Sequence, residues 1–245
     1  MLNFINQCNY KLLTKKNRRL HYIPGSKLYY LPVPKNGSST IKRLIYYLNH
    51  GLITKNSNQN FFQGNNIHKL YKNTFFLKYF SKTKYLMLLK LTFLNYRVII
   101  FLRDPISRFL SAYNHQVLIK KKLIIQNNIS KLDNFDNFVK NFESHFLQNK
   151  AIAWHFAPQS YHISKNIFKI KNPIYINLDD LNDKLPELLN YDLSLKTELF
   201  LKQKNNHIHS TRKFNGITKK DLIQKHIDFI RSNYKDDFEL FKMTL

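Results

Sequence analysis

At 245 residues and 43% hydrophobic composition, the chain is long for one domain but has ample material for a single core. Its lone cysteine, Cys8, excludes an internal disulfide, and no charged start followed by an apolar stretch and a small-residue cleavage site opens it, so a reducing cytoplasm is the expected setting. The formal net charge of +25 would suit nucleic acid, an anionic membrane surface or an acidic polymer, yet only eight of the 40 basic residues are arginine, and the accompanying wealth of Asn and Ile is what an AT-rich coding sequence produces without selection for binding.

In chain order, one domain is expected over residues 1–245, with 1–25 as a peripheral N-terminal segment. Lys27 to Val33 is a short β-prone run. The turn Pro34-Lys35-Asn36-Gly37-Ser38-Ser39-Thr40 follows, and Ser38 to Asn49 then places Ile41, Leu44, Ile45 and Leu48 on one helical face. Gly51 to Asn66 is Asn-rich and polar and reads as a surface loop; Lys69 to Tyr96 is aromatic, apolar and helical. Its most apolar stretch, Tyr85 to Leu94, is too short for a bilayer and is interrupted by Lys90, so no transmembrane segment is expected. Arg97 to Leu102 is apolar without alternation, the pattern of a strand buried on both faces in a parallel sheet.

Asp104 before Pro105 is a helix start, with a capping carboxylate and proline at the first helical position; Ile106, Phe109, Leu110 and Tyr113 supply the buried face. A helix is then expected over Asp133 to Leu147, a loop over Trp154 to His162, a strand over Pro173 to Leu178 and a helix over Asp179 to Leu189 despite Pro186. A polar, basic loop, Lys202 to Gly216, precedes helices at Thr218 to Ser232 and Asp236 to Lys242, the last with Phe238 and Phe241 turned inward. Strands alternating with helices give an α/β class: a P-loop-like three-layer domain with a central parallel sheet flanked by helices.

Two strand-to-helix turns carry the chemistry. A helix N-terminus offers unpaired N–H groups and partial positive charge, so Lys35, the close-approach Gly37 and the hydroxyls of Ser38, Ser39 and Thr40 suit a phosphate or sulfate. The lysine precedes the glycine and the GxxxxGK[ST] spacing is absent, which disfavours a generic nucleotide triphosphatase. In the second turn Arg103 can fork onto a phosphate, while Ser111 lies about 9 Å along the following helix by standard rise, so the two could grip one phosphate together. Taken alone, each turn is equally well a capped helix with a surface cation; two such turns, each after a buried strand, favour a nucleotide clamp.

These residues resemble the sulfotransferases that use 3′-phosphoadenosine 5′-phosphosulfate (PAPS), especially the carbohydrate branch with its chondroitin, dermatan and HNK-1-type enzymes. Pro34, Lys35, Gly37 and Thr40 match a PKxGxT-type loop, and Arg103, Asp104, Pro105, Arg108, Ser111 and Tyr113 match an RDPxxRxxSxY-type segment. His155-Phe156-Ala157-Pro158-Gln159 is similar to an HWxPQ element, with Phe156 where tryptophan is usual. The resemblance implies sulfuryl transfer from PAPS to a carbohydrate hydroxyl. Lys35, Asn36, Gly37, Ser38, Ser39 and Thr40 would hold the 5′-phosphosulfate, Arg103 and Ser111 the 3′-phosphate, and Arg212 and Lys213 would lie in a closing loop. It further implies Lys35 as a catalytic cation, His68 as the candidate general base with His155 as its rival, and His155 and Gln159 on the acceptor side. No histidine has metal-ligand spacing, so no metal is expected. The implied partner is a carbohydrate, an anionic polysaccharide included, and no specific nucleic acid. A basic nucleic-acid-binding protein and a P-loop-like nucleotide phosphotransferase are the competing readings.

Overall fold

The computed structural model describes residues 20–50, 95–120, 123, 130–164, 172–204 and 216–244. A four-stranded sheet runs in the order β1 (His21–Ile23), β2 (Leu28–Tyr30), β3 (Arg97–Leu102), β4 (Ile174–Asn177). β1 is antiparallel to β2; β2, β3 and β4 are parallel, with Tyr30 opposite Ile99 and Leu102 opposite Asn177. The carboxyl ends of three strands therefore open on one edge, where ligands of open α/β sheets collect. The hairpin strand β1 is a correction to the all-parallel expectation: Gly25, at φ +72°, turns the chain back within four residues.

Both faces of the sheet are covered, as the unalternating RVIIFL run of β3 requires. Tyr30, Ile99, Phe101 and Ile176 pack against Ile41, Leu44 and Ile45 of α1 (Ser38–His50), Leu181 and Leu185 of α7 (Leu181–Glu187) and Phe200 and Leu201 of α8 (Tyr191–Lys204). Tyr29, Leu31, Val98, Ile100 and Leu102 form the other face, met by Leu240 and Phe241 of α10 (Lys235–Lys242) and Ile163 of α6 (Gln159–Ser164).

The RDP turn starts α2 (Pro105–Tyr113) as the residue types foretell: Asp104 accepts the Ser107 N–H at 2.8 Å and Pro105 fills the first turn. α2 runs on into a π-helical turn, Asn114–Ile119. A second lobe gathers around Phe109, whose ring lies 4.9 Å from that of Phe156, in α5 (Lys150–Phe156), and 6.1 Å from that of Phe135 in α3 (Lys131–Lys140). α4 (Phe142–Gln148) and α9 (Gln224–Asn233) complete it with Phe142, Phe146 and Ile230.

Three boundaries differ from expectation. The helix expected over 133–147 is two, because Asn141 ends α3 and its φ of −102° turns the chain into α4. The loop expected over 154–162 is helical on both sides of one break: Ala157, at ψ 141°, is held extended by Pro158, which separates α5 from α6. The helix expected from Thr218 is a 3₁₀ turn, Lys219–Asp221, followed by α9. The expectations for 51–66 and 69–94 lie outside the described residues, and among those described no helix is long and apolar enough to cross a membrane.

Candidate functional site

The first turn has an uncommon backbone. Lys35 and Gly37 both have positive φ, +70° and +69°. For Gly37 this costs nothing sterically, and a side chain there would also strike Leu178, whose Cδ1 stands 2.6 Å from where a Cβ would sit. For Lys35 the left-handed backbone is a strain of the kind that collects at ligand clamps. Thr40 N–H and Ile41 N–H bond back to the Gly37 carbonyl, closing the helix start. The N–H groups of Gly37, Ser38 and Ser39 make no backbone hydrogen bond among the described residues, and none of the three hydroxyls has a protein partner there. An anion placed at that helix start meets unspent donors.

Arg103 leaves the end of β3 beside this turn, and its Nη1 donates to the Lys35 carbonyl at 3.4 Å. The two cations repel: burial first, then Arg103 and Arg108, pull the Lys35 ammonium down to about 8. Burial likewise lowers Arg103, against the opposing pull of Asp179 and Asp104. Crowded, half-buried positive charge of this kind is relieved by a polyanionic ligand.

Arg103 also lines a cleft of about 190 Å³, together with Ser107, Leu110, Ser111, Asn114, Ile217, Thr218 and Lys219. Arg103 and Ser111, paired from the sequence, thus share one cavity. Its outer wall is a strap, residues 216–219, which Asn114 holds twice: Nδ2 donates to the Ile217 carbonyl at 2.9 Å and Oδ1 accepts the Ile217 N–H at 3.1 Å. Lys219 adds an ion pair to Asp104 at 2.8 Å. With the lysine more than half exposed, that pair is worth no more than about 1 kcal/mol, so Asn114 is the main fastening. Burial alone would raise the Asp104 carboxyl, but Lys219 and Ser107 outweigh it and hold it low.

Two residues expected at the ligand are spent inside the protein. Asn36 is fully buried, and its Nδ2 donates to the Phe101 carbonyl at 2.7 Å and to Gln159 Oε1. Gln159, expected on the acceptor side, is also fully buried: Oε1 accepts the Arg103 N–H at 3.0 Å and Nε2 donates to the Arg103 carbonyl at 2.9 Å. Arg108, 1% exposed, makes a second tie, from Nε to the Pro34 carbonyl at 3.1 Å and from Nη2 to the Ala157 carbonyl at 2.7 Å. Asp237 of α10 accepts the Gln159 and Ser160 N–H groups at 2.7 and 2.8 Å and faces Arg108, which opposes the upward push of burial on its carboxyl. Tyr113 is a core residue, its ring 4.8 Å from that of Phe135. Phe156, which stands where the HWxPQ pattern carries tryptophan, is buried in the aromatic lobe.

Of the candidate bases, His68 lies outside the described residues, as do Arg212 and Lys213. His155 is half-buried at the end of α5, its ring 6.2 Å from that of His115. His115 was invisible in the sequence. It sits in the π-helical turn, one turn on from Ser111, and burial, then Lys35 and Lys120, hold it down to about 4, so it is a neutral imidazole within the field of Lys35. Gln116 Nε2 donates to its Nδ1 at 2.8 Å, which places the ring proton on Nε2. No motif marks this position; only the wider turn brings it to the lysine. Among the described residues no cluster of His, Cys, Asp and Glu has the arrangement of a metal site.

A model of the sulfotransferase family matches residues 18–243. No curated protein and no solved structure matches the chain.

Proposed function

Because this chain belongs to the sulfotransferase family, we propose that it transfers a sulfuryl group from PAPS to a carbohydrate hydroxyl, as one P-loop-like catalytic unit working in the cytoplasm. The observation that carries the donor reading is the meeting of Lys35 and Arg103 on one sheet edge, with unspent N–H donors at the start of α1 and the Ser111 cleft beside Arg103. The residues suit a ligand with an anionic group at each end. Lys35 and the start of α1 would receive the phosphosulfate; Arg103 and Ser111 would receive the 3′-phosphate.

In this reading the acceptor oxygen attacks sulfur, the bond from sulfur to the bridging phosphate oxygen breaks, and adenosine 3′,5′-bisphosphate leaves with the electron pair. Lys35 meets the charge that grows on the departing oxygen, an effect worth about 3 kcal/mol for a well-placed donor. The neutral Nε2–H of His115 adds an uncharged donor near Lys35, and the acceptor's proton goes to His68 or to its rival, His155, whose ring lies beside that of His115. The carbohydrate class rests on the His155-to-Gln159 likeness.

The test is ligand discrimination. Adenosine 3′,5′-bisphosphate should raise the thermal midpoint well above the shift given by AMP, and Arg103→Ala should erase the difference. Equal stabilisation by both ligands in the wild type would sink the donor reading, and stabilisation by ATP with magnesium alone would replace it with phosphotransfer.

A further inference from the structure

We propose that Gln159 is a positioning residue that locks the two anion-binding turns at a set separation, so that they act as one two-point site instead of two independent ones. The inference rests on the donor reading above and deepens it.

The geometry is a buried knot. One amide oxygen, Gln159 Oε1, accepts from the side chain of Asn36 in the first turn and from the backbone N–H of Arg103 in the second. The same amide's Nε2 returns to the Arg103 carbonyl, so both backbone groups of Arg103 are held by one side chain. Asn36 is anchored in turn to Phe101, on β3. Both side chains are fully buried, so neither has water to replace a lost partner, and breaking the knot leaves polar groups of both turns unsatisfied. Gln159 itself is fixed from behind by Asp237, which takes its backbone N–H.

The energetic consequence follows from linkage of two binding events. A ligand with phosphates at both ends gains over either monophosphate because the second contact is intramolecular, and that gain is largest when the span of the site matches the span of the ligand. Contacts to a single phosphate need only one turn intact. Loss of the Gln159 amide should therefore reduce the advantage of the bisphosphate while leaving each monophosphate much as before. A residue that merely stabilised the fold would weaken all three ligands together.

The experiment measures dissociation constants for adenosine 3′,5′-bisphosphate, AMP and adenosine 3′-monophosphate with wild type, Gln159→Leu, Gln159→Glu and Tyr234→Phe. Tyr234→Phe is the structural control: it removes a buried hydrogen bond of 2.6 Å to the Phe156 carbonyl, three residues before Gln159, and leaves the Gln159 amide and its partners in place. In Gln159→Leu the bisphosphate advantage should fall by roughly 10- to 100-fold. Gln159→Glu keeps the acceptor oxygen but turns the bond to the Arg103 carbonyl into a repulsion, and should lose a smaller part. Tyr234→Phe should lower the thermal midpoint with the advantage intact. Retention of the advantage in Gln159→Leu, or a proportional weakening of all three ligands, overturns the proposal; if that variant does not fold, Gln159→Glu decides by the same criterion. A wild type with no bisphosphate advantage overturns the donor reading and this inference with it, so the two failures are told apart by the wild type alone.

Discussion

Lys35 is where pH should act on this protein. Its ammonium, pulled down to about 8 by burial and by Arg103 and Arg108, is charged below that value and neutral above it, and an anion binds the charged form. Affinity for adenosine 3′,5′-bisphosphate should therefore fall as pH rises through 8, with proton uptake on binding in that range. Lys35→Arg, whose guanidinium keeps its charge, should flatten the profile; calorimetry in buffers of different ionisation enthalpy checks both, and an unchanged slope in Lys35→Arg would refute the assignment. The lysine's chemical type was legible from its place after an apolar run, but its left-handed backbone was not, because only the closed turn imposes it. Gln159 and Asn36 show the limit more sharply. A polar residue in a motif reads as a ligand contact, and whether its amide faces the ligand or the interior is decided by packing between segments 123 residues apart. His115 had no local signal at all.

Among elements, the strap at 216–219 has the most to reveal. Asn114→Ala removes both bonds to Ile217, a loss of about 1–3 kcal/mol, and should lower the thermal midpoint, speed amide exchange over residues 217–222 and weaken bisphosphate binding. Asn114→Asp keeps only the acceptor half and should fall between; amide exchange unchanged in Asn114→Ala would mean that Lys219 and the neighbouring packing hold the strap instead. β3 and the start of α2 were legible to the residue, since an unbroken apolar run and an Asp-Pro cap are local chemistry. The helices on either side of Pro158 were not: the proline announced an interruption, while Phe156 and Tyr161, which bury the flanking turns, take their partners from distant chain.

For the whole molecule, acid tolerance turns on Asp136. Lys225 and His226 of α9 bind it at 2.7 and 2.9 Å and Lys140 lies at 3.3 Å, so α9 is tied to α3 through one carboxylate held well below the usual range, chiefly by Lys225 and His226. A depressed carboxylate contributes stability that is present above its unfolded-state value and lost as pH falls through the folded one. Asp136→Asn should lower the midpoint at neutral pH and flatten its decline in acid; an identical acid profile in the variant would refute this. The α/β class was legible because strands alternate with helices along the chain and β3 is apolar without alternation, the pattern of a strand covered on both faces. The hairpin strand was not, three residues being too few for a pattern. The hydrogen bonds that Asp237 accepts from the start of α6 reach further than stability. The amide that joins the two turns has its own backbone secured from residue 237, so the two-point site is completed only once that aspartate has been made, and translation products that stop before it should show no preference for the bisphosphate over a monophosphate.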